Sequence, residues 1–210
     1  NLIGINAAQS NSINAGFIML LALPFAYLWS FLSRRNRNPG SPYKMGLGLL
    51  LLGLGFVIFG SSAQDMDNAA RVPMFYLLAG TFVYTVGELF LSPIGLSKMT
   101  ELSPKKYIAF IMGVWFLSSF YGHYFAGKLA TLTAGSNDGV NSTLQEGFLG
   151  NLSTRVTGLD PTLLGEMGTD FLQLYSYVSV YAFFGIITIG IGLLALLFAP
   201  FIKKLMGGIN

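Results

Sequence analysis

The sequence predicts an all-α integral membrane protein, and three observations predict it. Of 210 residues, 53% are hydrophobic and only 10% are charged, whereas an ordinary soluble domain carries roughly 25% charged residues. Five apolar stretches reach the length of roughly 20 residues that a helix needs to cross a hydrocarbon core of about 30 Å. Each is bounded by polar or turn-forming residues, and most of the 12 Lys and Arg residues collect at one end of the resulting bundle. A chain with so little charge cannot clothe a water-facing surface, which argues against a soluble enzyme or binding domain. Its hydrophobicity excludes intrinsic disorder. With no Cys and a single His, His123, neither a disulfide scaffold nor a Cys/His zinc site is expected. The basic residues behind the net charge of +3 flank the ends of the spans and do not form a basic face for nucleic acid.

The first span is expected over about 13–32, from Ile13 to Leu32. Arg34-Arg35-Asn36-Arg37-Asn38-Pro39-Gly40-Ser41-Pro42 then stops the helix, because two prolines and a glycine cannot propagate it. The second covers about 45–63 and the third about 74–99. Glu101-Leu102-Ser103-Pro104-Lys105-Lys106 joins the third to the fourth, about 108–133, as a tight helical hairpin. The fifth covers about 175–202. All should be helical, since in lipid every backbone polar group must be satisfied within its own segment.

The polar segment 134–170 reads as an external loop, in which Thr162 to Met167 is expected to form a short surface helix. Lys and Arg are retained on the cytoplasmic side. Arg34, Arg35, Arg37, Lys44, Lys98, Lys105, Lys106, Lys203 and Lys204 fall at one end, against Arg71, Lys128 and Arg155 at the other. The C-terminus is therefore expected in the cytoplasm and the N-terminus outside. An external start at Asn1, with no signal-peptide pattern, makes the chain read as the C-terminal piece of a larger membrane protein.

Glycines recur every seven residues in the second span, at Gly46, Gly53 and Gly60, with Gly48 and Gly55 on a parallel register. Seven residues are close to two turns, so each set lies on nearly one face and lets a neighbouring helix approach closely.

Only one of the nine acidic residues, Glu88, falls inside a span. Counted from Met74 it lies roughly 21 Å along the helix, where a charge costs on the order of 3 kcal/mol to insert. Two readings offset that cost. Glu88 is either half of an interhelical ion pair or a carboxylate on a water-filled pathway that takes a cation, a substrate amine or a proton. Pro93 removes a helix hydrogen bond and pushes on the carbonyl of Leu89, so a bent or locally opened helix is expected beside the charge. Ser92 follows Glu88 by one turn on the same face. In the first span Asn14 is a polar group in the outer half of the membrane, suited to an interhelical hydrogen bond or a ligand contact. Trp115 lies too deep for an interfacial belt, which leaves pocket lining or core packing. His123 and Lys128 lie nearer the external end.

These residues carry a resemblance. Gly87-Glu88-Leu89-Phe90-Leu91-Ser92-Pro93-Ile94-Gly95-Leu96-Ser97, then Leu102-Ser103-Pro104, then Met112-Gly113-Val114-Trp115-Phe116-Leu117 resembles the C-terminal signature of the proton-dependent oligopeptide transporters. These form the peptide branch of the major facilitator superfamily. Ser12-Ile13-Asn14 with Phe17-Ile18 resembles the start of that family's eighth helix, and Tyr175-Ser176-Tyr177 the opening of its last. The chain departs from the pattern at Ala15, where the family usually has Pro, and at His123, where it usually has Asn.

The resemblance implies helices eight to twelve of a major facilitator bundle with two pseudo-symmetric halves and alternating access. It implies substrate-binding roles for Glu88, facing the peptide amino terminus, for Asn14, and for Ser92 and Trp115 as pocket lining. The function it implies is proton-coupled symport of di- and tripeptides across a bacterial inner membrane. No cofactor is expected beyond protons as the coupling ion, and no catalysis. The expected partners are di- and tripeptides, the N-terminal half of the same transporter and membrane lipid. A nitrate-like carrier of the same superfamily, or a structural membrane subunit with Glu88 in an ion pair, are the alternatives.

Overall fold

The computed structural model describes residues 7–35, 37–66, 71–135, 147–158 and 169–205. All regular structure among them is helical: α1 (Ala7–Arg34), α2 (Ser41–Ser61), α3 (Met74–Leu102), α4 (Ile108–Gly135), α5 (Gly147–Thr157) and α6 (Thr169–Leu205). A short 3-10 turn, Ser62–Asp65, follows α2, and another, Lys105–Tyr107, precedes α4. Among the described residues, five helices are long and apolar enough to span a membrane.

The helices outrun the apolar stretches that announce them. The fifth begins at Thr169 rather than near Tyr175, and the first continues to Arg34. Hydropathy reports only the part inside hydrocarbon, whereas backbone hydrogen bonding carries a helix on into the polar headgroup layer. The segment 134–170 is likewise not all loop, because α5 occupies 11 residues of it. That helix is too short and too polar for a span-length hydropathy window. It ends on Gly158, whose φ of 69° is the left-handed conformation that closes a helix without a Cβ clash. The Gly158 N–H returns to the carbonyl of Thr154 at 2.9 Å. α5 is tied to the 3-10 turn after α2 by Gln64, whose Nε2 donates to the carbonyl of Val156 at 2.6 Å. The surface helix expected over Thr162 to Met167 lies outside the described residues.

α2 is the axis of the bundle, packed between α6 on one side and α3 on the other. Its two glycine registers divide that work. A Cβ on Gly46 would meet Leu196 Cδ2 at 2.6 Å, one on Gly53 would meet the backbone of Ile189 and Gly185 at 2.8 Å, and one on Gly60 would meet Ala182 Cβ at 2.8 Å. All four partners belong to α6. Gly48 instead faces Phe90 and Leu91, and Gly55 faces the backbone of Tyr84 at 2.9 Å, all on α3. On that side Gly87 of α3 answers in kind, since its Cβ would lie 2.7 Å from the nitrogen of Leu52. Close backbone approach is the means by which membrane helices gain van der Waals contact when lipid is as apolar as leucine.

α1 docks on α3, and α4 touches α3 and α6 more lightly. The apolar windows of α1 and α4 bury no residue within the chain, and side chains such as Met19, Phe110 and Phe116 are largely exposed. Such surfaces suit lipid or further helices. α3 runs unbroken through Pro93 as a helix, and α1 does so through Pro24. The opening expected beside Glu88 is thus confined to the single hydrogen bond that Pro93 cannot donate to the Leu89 carbonyl.

Candidate functional site

The site grows out of the α1–α3 interface. Both helices carry one polar cluster in otherwise apolar surface, and the two clusters meet. The Asn14 Nδ2 donates to Glu88 Oε2 at 3.3 Å, and Asn14 Oδ1 accepts from Thr85 Oγ1 at 2.6 Å. Thr85 lies one turn before Glu88 on the same helix face and is fully buried. Its hydroxyl also lies 2.7 Å from the carbonyl of Thr81. A hydroxyl has one hydrogen, so Thr85 chooses between its own helix and Asn14. The network orients the amide: with nitrogen toward the carboxylate and oxygen toward the hydroxyl, no two acceptors face each other.

Glu88 itself is half-buried. Among the described residues no Lys, Arg or His comes within 4.0 Å of it, and the ion pair found there is Lys98 with Glu101 at 2.5 Å, within α3. The interhelical ion pair considered for Glu88 is therefore not formed among the described residues; its partner across the interface is the neutral Asn14 amide. One N–H fills a small part of a carboxylate's accepting capacity. What remains can accept from a cationic amine, which offsets the cost of a half-buried charge in apolar surroundings.

Ser92 sits one turn beyond Glu88, exposed, and makes no side-chain hydrogen bond among the described residues. Trp115 of α4 is not beside Glu88. Its indole lies over Gly95, where a Cβ would stand 2.6 Å from Cη2. Gly95 is seven residues past Glu88, so the indole marks a point about 10 Å further along nearly the same face of α3. Asn14 and Glu88 are thus brought into contact, Ser92 flanks them, and Trp115 stands two turns away. Thr85 is a participant that the sequence does not announce. Its one signal was the three-residue spacing to Glu88, shared with many helical threonines that only bond their own backbone.

Aromatic side chains hold α1 in register above and below this cluster. Phe17 meets Phe82 edge-on with centroids 5.6 Å apart, and Phe25 and Trp29 both pack edge-on against Phe90, at 5.6 and 5.1 Å. Trp29 in turn carries the Lys44 ammonium of α2 over its ring at 4.0 Å. Among the described residues no group of three His, Cys, Asp or Glu side chains is placed to hold a metal ion.

Among the described residues, five span-length helices bring a carboxylate with no ion-pair partner to a helix–helix interface, an arrangement known from membrane transporters. The family model described as "POT family" matches residues 1–144, and the chain belongs to that family. It is 39% identical over 120 residues to "Peptide transporter YePEPT" of Yersinia enterocolitica, covering 56% of this chain and 24% of that protein. To "Dipeptide and tripeptide permease A" of Proteus mirabilis it is 29% identical over 201 residues, covering 96% of this chain and 35% of the relative. Among solved structures it resembles a peptide transporter POT crystallised with sulfate, with a TM-score of 0.62 and 28% identity over 97% of this chain and 33% of that one. The chain spans about a quarter to a third of the length of these relatives.

Proposed function

We propose that this chain is the C-terminal, substrate-facing part of a proton-coupled symporter of di- and tripeptides in a bacterial inner membrane, with its C-terminus in the cytoplasm. The observation that carries the reading is Glu88, a half-buried carboxylate whose partner is a neutral amide. A peptide's ammonium group supplies the missing charge. Asn14 holds the carboxylate toward α1, Thr85 fixes the amide that does so, and Ser92 offers a hydroxyl one turn on. Trp115 closes the lining on the side of Gly95. Family membership and the printed names of the relatives support peptides as the cargo class. The clustering of basic residues at one end supports the orientation.

The test is uptake of labelled dialanine by proteoliposomes holding the intact transporter. Replacing the carboxylate with Glu88→Gln keeps the shape and the Asn14 contact but removes the charge. Truncating one partner of a desolvated charge pair typically costs about 2 kcal/mol or more, so a rise in KM of roughly thirtyfold is expected. An N-acetylated dipeptide, which lacks the ammonium, should lose little further affinity in the variant.

A further inference from the structure

α1 is held differently from the helices that pack directly on α2. At Gly53 and Gly55 of α2 a Cβ would stand 2.8 and 2.9 Å from backbone atoms of α6 and α3. Seams that close leave little room for relative movement, because backbone cannot swing aside. α1 has no seam of this kind: a Cβ on its Gly16 would meet nothing within 4 Å, and its apolar window buries no residue within the chain. The contacts described for it are made by side chains, in two groups. Asn14 with Thr85 and Glu88, and Phe17 with Phe82, form the first. Phe25 and Trp29 against Phe90 form the second. Pro24 lies between the groups. It cannot donate to the Leu20 carbonyl, so α1 lacks a hydrogen bond there and bends most easily at that point.

The second group carries a charge. The Trp29 ring supports the Lys44 ammonium at 4.0 Å from its centroid and so joins α1 to α2. Lys44 is 8% exposed, and no carboxylate lies within 4.0 Å of it among the described residues. Lys98, itself paired with Glu101, adds a like charge. The ring face therefore supplies the attraction that offsets burial of this cation, and it counts for more here than on a wet surface. Lys44 is also only one turn into α2, near the end of the bundle. Water replaces the ring there once Trp29 withdraws, and hydration screens the repulsion from Lys98. The contact is thus strong enough to hold α1 and cheap enough to open. We propose that Trp29 and Lys44 form a latch: the half of α1 beyond Pro24 swings on and off the bundle, held closed by the indole on the ammonium, while α2, α3 and α6 stay together as a unit.

The latch takes from the transport reading only that the bundle changes shape. Spin-label distances in the intact transporter test it with no substrate present, so failure of the peptide reading leaves the result standing. Tyr27→Cys on α1 and Leu47→Cys on α2, both at exposed positions, carry one pair of labels, and Leu47→Cys with the exposed Leu194→Cys on α6 carries the control. The first pair should give two distances. Lys44→Met keeps the stem and removes the charge, and it should move the balance roughly tenfold toward the longer distance. Trp29→Leu should do the same. Lys44→Arg and Trp29→Tyr each keep a cation over a ring and should stay close to the unmodified balance. The control pair should give one distance throughout. A single distance for the first pair in every variant would overturn the latch, as would an equal change in the control pair. A shift in Lys44→Arg as large as in Lys44→Met would assign the effect to packing instead of charge and overturn it too. If Lys44→Met fails to fold, the contrast between Trp29→Leu and Trp29→Tyr still decides.

Discussion

Asn14 of α1 and Glu88 of α3 meet across the helix interface at 3.3 Å, amide nitrogen to carboxylate oxygen. The contact is slightly longer than the usual range of about 2.7–3.2 Å for an N–H···O hydrogen bond. It therefore holds Glu88 in place while leaving most of its charge to be answered by something else. The consequences can be measured residue by residue.

Thr85→Val should cost about 1–2 kcal/mol of stability, because Thr85 is fully buried and its loss leaves Asn14 Oδ1 without a donor. Thermal melting of the intact transporter checks this. Dipeptide uptake should show a KM raised a few-fold with kcat nearly unchanged, since the amide that positions Glu88 loses its anchor. A melting temperature equal to that of the unmodified protein would mean that the Thr85–Asn14 hydrogen bond contributes nothing to stability.

The glycine registers make a paired prediction. In Gly53→Ala the new methyl would stand 2.8 Å from backbone atoms of α6, which cannot swing aside as a flexible side chain would. A loss of roughly 2 kcal/mol or more is expected, seen as a lower melting temperature and poor recovery from the membrane. Gly113→Ala, on α4, meets nothing within 4 Å. It should be neutral or gain up to about 1 kcal/mol from helix propensity.

Gly95 and Trp115 should be energetically coupled. Alone, Gly95→Ala drives a methyl into the indole, 2.6 Å from Cη2. In a Trp115→Leu background the same change should be far milder. A double-mutant cycle on the melting transition should return a coupling of about 0.5–3 kcal/mol, the range for residues in direct contact. Additive effects would place the indole elsewhere.

The five spans were legible because bilayer thickness imposes a length on apolar runs that few other structures share. The pairing of Gly46, Gly53 and Gly60 with one neighbour and of Gly48 and Gly55 with another could be read as faces, but not as partners. A helical wheel gives the direction of a side chain without saying which helix stands there. Glu88 stood out because a charge in hydrocarbon is costly whatever the fold. Thr85 did not, since a threonine hydroxyl can always fall back on its own helix. α5 was hidden because a short amphipathic helix is weak in hydropathy. Trp115 was legible as deep and not as remote from Glu88, because depth along α4 carries no information about which residue of α3 lies opposite.

The most direct measurement compares dialanine with its N-acetylated form as substrates of the intact transporter, unmodified and as Glu88→Gln. If Glu88 receives the peptide ammonium, the unmodified protein should prefer dialanine by roughly thirtyfold or more in kcat/KM. The variant should prefer it by only a few-fold. An undiminished preference in Glu88→Gln would contradict that role and leave the Asn14–Glu88 contact a purely structural tie between α1 and α3.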